Sequence, residues 1–390
     1  MNPEKKLFPY FQPIVCVASG YVIGYEALAR QYNEMGQIIS AGKLFSSREL
    51  PAEQLIEWDR IIRRQALQRF SRLNYSGYLN LNISAAWIDY VSDINSLPTI
   101  RMIDELNIDR DRIIIEITES KGDLDKLTKV VRIYRKHGLK VAIDDFGAGF
   151  SQLERVMAIR PDIIKLDMQL FQKATEGGIA SDIVHLLTRL GKRTGCRVVC
   201  EGVETDNEFL FGLNCGAQYM QGYLFAPAEA DFKDSTYYRG RINLLRNRFL
   251  QKTLLKERDK IQYIGKVKGL IGLLQKALET DFNLNELSAH PFEKSGVLRF
   301  YLCNNKGEQI SSNFNFAGGE WFEEPRTIGF NWSWRPYFYQ LLALEDTQDC
   351  YRLVTSERYR DFNTDLLCKT LALRLDGERI LLIDIMAEWT

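Results

Sequence analysis

The sequence has little histidine and no excess charge of either sign. Its 390 residues include three histidines, and lysine plus arginine equal aspartate plus glutamate at 51 each. Three histidines are too few for a metal site built mainly from imidazole groups. The balanced charge gives no overall electrostatic case for DNA or an anionic membrane surface as a partner. Binding partners have to be inferred from local groups of residues.

Paired cysteines and long apolar runs are also missing. The seven cysteines form no CxxC pair and lie mostly in apolar runs, which favours buried, reduced thiols. No apolar run approaches the roughly 20 residues that span a bilayer, and the N-terminus leads into no signal-peptide core. The sequence therefore predicts a cytoplasmic protein without a membrane span.

What the sequence does contain is a set of polar residues at the ends of short, strand-like apolar runs. Seven residues share this position: Glu26, Asn82, Glu116, Asp144, Asp145, Lys165 and Glu201. A single acid there could cap the following helix, but capping requires neither a lysine nor two adjacent aspartates in the same register. In a parallel barrel such strand ends converge on one rim, where carboxylates can share divalent cations. Oxygen ligands of this kind suit Mg²⁺ or Mn²⁺ in a two-metal hydrolase.

The region from Leu7 to about Ala230 alternates apolar runs with amphipathic stretches, which is typical of β/α units. Eight strands are predicted: Phe8–Val15, Val22–Leu28, Tyr78–Ile83, Ile113–Ile117, Lys140–Ile143, Ile163–Leu166, Arg197–Cys200 and Tyr219–Gln221. Only a short turn separates the first two, so they should pair antiparallel. The expected class is α/β, a modified TIM (β/α)8 barrel with an antiparallel first strand.

Two further regions follow the barrel, which we expect to occupy residues 1–235. Residues 236–283 predict a helical linker, whose basic cluster from Arg239 to Lys260 is interpreted as a solvated face rather than a nucleic-acid or membrane site. Residues 284–390 predict a smaller α+β domain with antiparallel strands. Its predicted strands are Val297–Cys303 in a hairpin with Glu308–Ser312, then Cys350–Thr355, Leu366–Leu373 and Arg379–Ile385.

Eight motifs in order resemble the EAL family of cyclic di-GMP phosphodiesterases. They are Phe11–Val15, the signature Glu26–Arg30, Asn82–Ser84, Glu116–Ser120, Asp144–Gly149, Lys165–Asp167, Glu201–Thr205 and Gln221–Phe225. A lone tripeptide would carry no weight, but eight ordered matches are specific. The resemblance implies the modified barrel and metal-dependent opening of cyclic di-GMP to linear pGpG.

The resemblance also implies roles for the rim residues. Glu26, Asn82, Glu116 and Asp144 would hold one Mg²⁺ or Mn²⁺ ion, and Asp144, Asp145 and Glu201 the second, with Ca²⁺ expected to inhibit. The catalytic set would comprise Lys165, which orients or deprotonates the water, together with Glu201, Glu204 and Gln221. The implied substrate contacts are Gln12 near a guanine, Leu28 and Arg30 along the phosphate, and Phe225 with Pro227 as an apolar wall. A guanidinium such as that of Arg30 matches phosphate oxygens bidentately.

One loop departs from the pattern of many active family members. Phe150-Ser151-Gln152 stands where they have a tyrosine and two small hydroxyl residues. In this family that loop couples metal binding to dimerisation, with Glu119 as its implied anchor, so a homodimer through the barrel is expected. The departure bears on rate and regulation rather than on metal binding, because every ligand position is filled.

The segment Trp332–Phe338 resembles a motif of PAS-like, Cache-related sensor domains of the YkuI type that follow some EAL domains. This implies a regulatory domain that binds an unknown small ligand or protein partner, with Arg335, Tyr359, Arg360 and Asp361 as candidate contacts. The alternative is that the aromatic residues only pack a small core. Two other functions stay open for the whole chain: a cyclic di-GMP receptor without turnover, and a hydrolase of another cyclic dinucleotide.

Overall fold

A computed structural model describes most of the chain as two compact units divided after Gln251. The described residues are 7–45, 50–73, 77–83, 90, 96–117, 123–148, 152–279, 284–287, 292, 295–344, 353–361 and 364–387. No helix in these ranges is both long and apolar enough to cross a membrane.

The first unit is a closed barrel. Its strands are β1 (Leu7–Cys16), β2 (Val22–Tyr32), β3 (Ile38–Ser40), β4 (Tyr78–Ile83), β5 (Ile113–Ile117), β6 (Lys140–Phe146), β7 (Ile163–Leu166), β8 (Arg197–Cys200) and β9 (Tyr219–Met220). The barrel order is β1-β2-β4-β5-β6-β7-β8-β9, with β9 returning to β1 and the short β3 attached to the end of β2. β1 runs antiparallel to both neighbours, and the remaining barrel pairs are parallel. The predicted modified barrel is confirmed.

Amphipathic helices cover the barrel. They are α1 (Gly42–Phe45), α2 (Ala52–Ser71), α3 (Pro98–Glu105), α4 (Leu124–Lys136), α5 (Gln152–Ile159), α6 (Met168–Thr175), α7 (Gly178–Thr194) and α8 (Asp206–Cys215), with a 3-10 turn at Arg110–Arg112. α2 buries Ile62, Ala66 and Phe70, which recur every four residues on one face. α8 begins at a capping box between Thr205 and Glu208.

A single 41-residue helix, α9 (Arg239–Glu279), occupies the predicted linker region. Ile242 and Leu245 in its first turns are buried in the core of the barrel unit. The basic cluster is not only a solvated face, as the sequence suggested. Arg241 and Arg248 pair with Asp206, and Arg246 donates to the carbonyl oxygen of Val17 (3.1 Å), so these arginines hold the start of α9 on the barrel.

The described part of the second unit contains an antiparallel sheet of seven strands. They are β10 (Val297–Asn304), β11 (Asn313–Ala317), β12 (Glu320–Glu324), β13 (Val354–Thr355), β14 (Tyr359–Arg360), β15 (Leu367–Arg374) and β16 (Arg379–Met386). The order is β12-β11-β10-β16-β15-β13, and β14 also pairs with β15. Short helices α10 (Leu284–Leu287) and α11 (Pro336–Leu342) and a 3-10 turn at Pro325–Thr327 complete the unit.

The predicted hairpin is confirmed at its turn, where the amide of Gly307 donates to the carbonyl oxygen of Asn304, but Glu308–Ser312 is not a strand. Its pairing with β10 stops after an isolated bridge between Cys303 and Gln309, and the strand that pairs with β10 is β11. The reason is local competition by side chains for backbone partners: Ser311 Oγ accepts from the amide of Leu302 at 2.8 Å. Of the predicted strand Cys350–Thr355, the structure describes Val354–Thr355 as strand, and residues 350–352 lie outside the described ranges.

The two faces of this sheet pack differently. One face packs apolar residues such as Leu371 and Ile383 against Val267 and Ile271 of α9. The opposite face carries a buried polar network in which Arg299 pairs with Asp361, one of the predicted ligand contacts.

The other predicted contacts of this unit lie near that network or at the surface. Tyr359 Oη donates to Asp384 Oδ1 (2.9 Å), and Arg360 is exposed and pairs with Asp365 (3.1 Å). The Arg335 guanidinium lies 4.3 Å from the ring centroid of Trp334 and 5.2 Å from that of Tyr359. Asp361 and Tyr359 therefore have structural partners within the unit.

Candidate active site

A buried lysine surrounded by carboxylates lies where the parallel strands end. Lys165 on β7 has no exposed surface. Its Nζ lies 2.7 Å from Glu201 Oε1, 3.0 Å from Glu26 Oε2, 3.0 Å from Asp144 Oδ1 and 3.2 Å from Glu116 Oε2. We call these four acids, together with Asp145 beside Asp144, the carboxylate cluster.

Strand register brings the cluster together. Asn82 on β4 lies opposite Glu116 on β5, and Glu26 on β2 lies opposite Asn80 on β4. Asp144 and Asp145, expected just after the predicted strand Lys140–Ile143, lie within β6, which extends to Phe146, whereas Glu201 follows β8 as expected. β2, for example, extends to Tyr32 because it pairs along its length with β1 and, at its end, with β3.

The two adjacent aspartates point to different surroundings because the backbone is irregular there. The pairing of β6 with β7 shifts register between Ile143 and Phe146, and Asp145 has a left-handed φ of 51°. Aspartate tolerates this conformation better than most residues. Asp144 is buried, whereas Asp145 is exposed, so the bulge lets both carboxylates border the same site.

The cluster contains two groups of carboxylates compact enough to hold a cation. One is Glu26, Glu116 and Asp144, and the other is Asp144, Asp145 and Glu201. Within each group the ligand oxygens lie within 4.8 Å of one another. Asp144 belongs to both, as expected of a bridging ligand between two ions.

Burial and mutual repulsion shift the cluster's pKa values. Burial raises the pKa of Glu116, Asp144 and Glu201, and the remaining acids add to the rise. Partial burial and the neighbouring Asp144 raise the pKa of Asp145 to about 6. Burial opposes the charge of Lys165, but the surrounding carboxylates outweigh it and hold the pKa of Lys165 well above its usual value.

Glu26 behaves differently because three groups bind its carboxylate. Burial alone would raise its pKa, but Lys165 and the side-chain amides of Asn82 and Gln221 bring it below the usual value. Asn82 Nδ2 donates to Glu26 Oε1 at 2.7 Å, and Gln221 Nε2 donates to Glu26 Oε2 at 2.7 Å. Asn82 Oδ1 is buried without a hydrogen-bond partner in the described part of the chain. A carbonyl oxygen of this kind is a ligand that hard cations accept.

A chain of amides leads from Glu26 to β1 and to the segment that follows β9. Gln221 Nε2 also donates to Gln12 Oε1 at 3.1 Å, and Gln12 Nε2 donates to the carbonyl oxygen of Ala226 at 3.1 Å. Leu28 and Arg30 follow Glu26 on the same face of β2, because alternate residues of a strand share a face. The structure thus places the predicted substrate contacts Leu28 and Arg30 on the strand that carries Glu26, and Gln12 opposite Glu26 on β1.

Three other predicted site residues make no hydrogen bond or ion pair with Lys165 within the described ranges. Phe225 is half-buried and packs edge-on against the rings of Phe209 and Tyr238, while Pro227 is exposed. Glu204 is exposed, and among the described residues its side chain makes no hydrogen bond or ion pair with the cluster. The predicted loop residues Glu119, Phe150 and Ser151 lie outside the described ranges.

Asn80 belongs to the site although the sequence analysis missed it. It is buried on β4, and its Nδ2 donates to Glu116 Oε1 at 2.5 Å. Its position two residues before Asn82 on the same strand was the available signal, since the two side chains share a face. Asn80 therefore orients the carboxylate of Glu116 through this hydrogen bond.

We expect Asn80→Leu to weaken Mn²⁺ binding about 10–100-fold, because partners that orient a metal ligand typically have effects of this size. The measurement is a calorimetric titration of the protein with Mn²⁺. Asn214→Leu, on the exposed side of α8, is the matched control. Parent-like affinity for Mn²⁺ in Asn80→Leu would show that Glu116 is oriented without Asn80.

Comparisons with known proteins bear on both units. Residues 3–228 match the EAL domain family, and residues 235–390 match a family described as an EAL-domain associated signalling protein domain. The uncharacterized EAL-domain containing protein YkuI of Bacillus subtilis is 26% identical over 387 residues, which are 97% of this chain and 94% of that protein. The crystal structure of YkuI, in complex with substrate c-di-GMP and calcium, shares the fold with a TM-score of 0.87 and 24% identity over 100% of this chain and 98% of the other.

Relatives with a named activity match the first unit. The cyclic di-GMP phosphodiesterase RocR of Pseudomonas aeruginosa is 28% identical over 225 residues, 56% of each chain. The calcium and cy-diGMP complex of Klebsiella pneumoniae BlrP1 has a TM-score of 0.53 and 28% identity over 60% of this chain and 58% of that chain. The second unit matches the EAL-domain associated signalling protein domain. That this unit is PAS-like or Cache-like stays a prediction.

Proposed function

The chain belongs to the EAL domain family, and we propose that it hydrolyses cyclic di-GMP to linear pGpG with two divalent cations. The observation that carries this proposal is the carboxylate cluster around Lys165, in which every proposed ligand position holds a residue with an oxygen ligand. A receptor that had lost catalysis would be expected to lack one or more ligands. The relatives named as cyclic di-GMP phosphodiesterases support the choice of substrate.

The donor set fits a pair of hard cations. Glu26, Asn82, Glu116 and Asp144 would hold one ion, and Asp144, Asp145 and Glu201 the other. All of these ligands offer oxygen, and the buried Asn82 Oδ1 has no hydrogen-bond partner in the described ranges. Bound Mg²⁺ or Mn²⁺ would supply an activated water and offset charge on the phosphate. Ca²⁺ is proposed to support binding with little turnover.

Lys165 is proposed to hold its proton at Nζ rather than to remove one from water. Without bound cations, the surrounding acids raise the pKa of Lys165 well above its usual value, so Lys165 enters the reaction as an ammonium. A fixed positive charge can orient the attacking water and offset charge that develops on the phosphate. Gln221 keeps Glu26 in place and connects it to Gln12, which would meet a guanine.

We also propose that the protein acts as a cytoplasmic homodimer through the barrel, and that the second unit regulates hydrolysis. α9 contributes Ile242 and Leu245 to the core of the barrel unit and Val267 to that of the second unit. A truncation intended to isolate the barrel therefore has to retain the chain as far as Gln251.

The direct test is to incubate the purified full-length chain with cyclic di-GMP and Mg²⁺ or Mn²⁺ and to separate the products by chromatography. We expect pGpG to form only with a divalent cation. Cyclic di-AMP and cyclic GMP-AMP in parallel reactions test the choice of base. Tight binding of cyclic di-GMP by calorimetry with no pGpG would identify a receptor, and faster cleavage of another dinucleotide would replace the proposed substrate.

A further inference from the structure

A cavity of about 390 Å³ lies in the second unit, between α9 and the helix-facing side of the sheet. Its walls are mostly apolar: Ile264 and Val267 line it from α9, and Leu371 and Ile385 line it from β15 and β16. The volume is near the lower end of the range of about 300–1,000 Å³ for small-molecule sites. The cavity is therefore large enough for a small organic ligand.

The charged residues at this cavity are all basic. Lys260 on α9 and Lys369 on β15 line it, and the described lining contains no aspartate or glutamate. Within the described ranges neither lysine makes an ion pair. Burial lowers the pKa of Lys369, and the positive charges of Arg358 and Lys260 lower it further. An anion entering the cavity would find uncompensated positive charge.

The position of Lys369 on the sheet is unusual. Alternate residues of β15 share a face, so Lys369 lies in line with Leu371 and Leu373, which are buried in the core beneath α9. Its cross-strand neighbour is Ile385, which is also buried. A half-buried ammonium on an apolar face without a partner costs free energy that a bound anion would recover.

We propose that this cavity binds a small amphipathic anion, with an apolar chain against Ile264, Val267 and Leu371 and a carboxylate between Lys260 and Lys369. The site is separate from Arg335, Tyr359 and Asp361, because Thr370, which bonds Tyr359, points to the opposite face of β15 from Lys369. Binding at this site does not depend on the proposed hydrolysis, since its residues all belong to the second unit.

The test uses the full-length chain and decanoate as the probe, with calorimetry as the measurement. Acetate supplies the charge without the chain, decanol the chain without the charge, and decylamine the opposite charge. We expect saturable one-to-one binding of decanoate that is at least tenfold tighter than that of each control. Equal affinity for decanoate and decanol, or no binding of decanoate, would overturn the proposal.

Variants locate the site. Lys260→Met and Lys369→Met keep an apolar stem and remove the charge, so each should weaken decanoate binding about fivefold or more, and the double variant more strongly. Lys306→Met, at an exposed position that does not line the cavity, is the matched control and should bind as the parent does. Circular dichroism checks the fold of each variant. Parent-like affinity in a folded double variant would place the decanoate elsewhere and overturn the assignment.

Discussion

Replacing Glu26 by glutamine is expected to abolish tight divalent-cation binding and hydrolysis of cyclic di-GMP together. The substitution keeps the side-chain volume and removes one charge from a carboxylate that contacts Lys165, Asn82 and Gln221. A loss of turnover greater than about 10²-fold is expected, because removing a group that merely orients a ligand already costs up to that amount. Calorimetry with Mn²⁺ and chromatography of pGpG measure the two effects.

Glu154→Gln, at an exposed position on α5, is the matched control and should leave both measurements unchanged. The fold of Glu26→Gln should survive, because residues at the carboxyl ends of barrel strands serve chemistry more than stability. Turnover within a few fold of the parent at saturating Mn²⁺ would remove Glu26 from the set of metal ligands.

Replacing Lys165 by methionine should separate chemistry from binding. We expect kcat to fall about 10²–10⁴-fold, the range found for groups that assist proton movement and developing charge. Binding of cyclic di-GMP in the presence of Ca²⁺ should remain within a few fold of the parent, because the carboxylate cluster is intact. Loss of nucleotide affinity in parallel with kcat would instead make Lys165 a residue that holds the substrate.

The same variant should show a stability loss that depends on metal. Without the ammonium, buried carboxylates face one another uncompensated, and breaking a buried ion pair typically costs about 3–5 kcal/mol. Protonation relieves this repulsion, so the fall in Tm should be larger at pH 8 than at pH 5.5, because the acids' raised pKa values leave them partly neutral at the lower pH. Ca²⁺ should restore much of the loss by binding the folded state.

Thermal unfolding at both pH values, with and without Ca²⁺, measures this effect. Lys173→Met, at an exposed position near the end of α6, is the matched control. An equal loss of Tm with and without Ca²⁺ would mean that Lys165 stabilises the barrel by packing rather than by charge.

Much of the barrel could be predicted because its strands are short, apolar and separated by helices. Ile113–Ile117 and Ile163–Leu166 were predicted with their observed bounds, since continuous apolar runs mark strands buried on both faces. The antiparallel first strand followed from the short turn before β2. The carboxylate cluster could be predicted because acids at the ends of strand-like runs converge on one rim of a parallel barrel.

Other features depend on contacts that no local pattern reveals. Asn80 looked like one polar residue within a strand; the register places it opposite Ile114, and its side chain reaches diagonally to Glu116. The predicted hairpin stopped after one bridge, where polar side chains such as that of Ser311 took backbone partners from the ladder. The cavity beside Lys369 depends on how α9 covers the sheet, which the periodicity of either element alone does not determine.

The charge of the carboxylate cluster affects the order in which cations and nucleotide bind. When all five acids are ionised, the ammonium of Lys165 balances one negative charge and leaves four. Two divalent cations would balance these four charges. Before the cations bind, the carboxylate cluster repels a cyclic dinucleotide, whose two phosphates are negative. After two divalent cations bind, the formal charge of the cluster, Lys165 and the cations is zero, and the repulsion disappears. Cations should therefore enter first and the nucleotide second, so that cation supply sets how much of the protein can accept substrate.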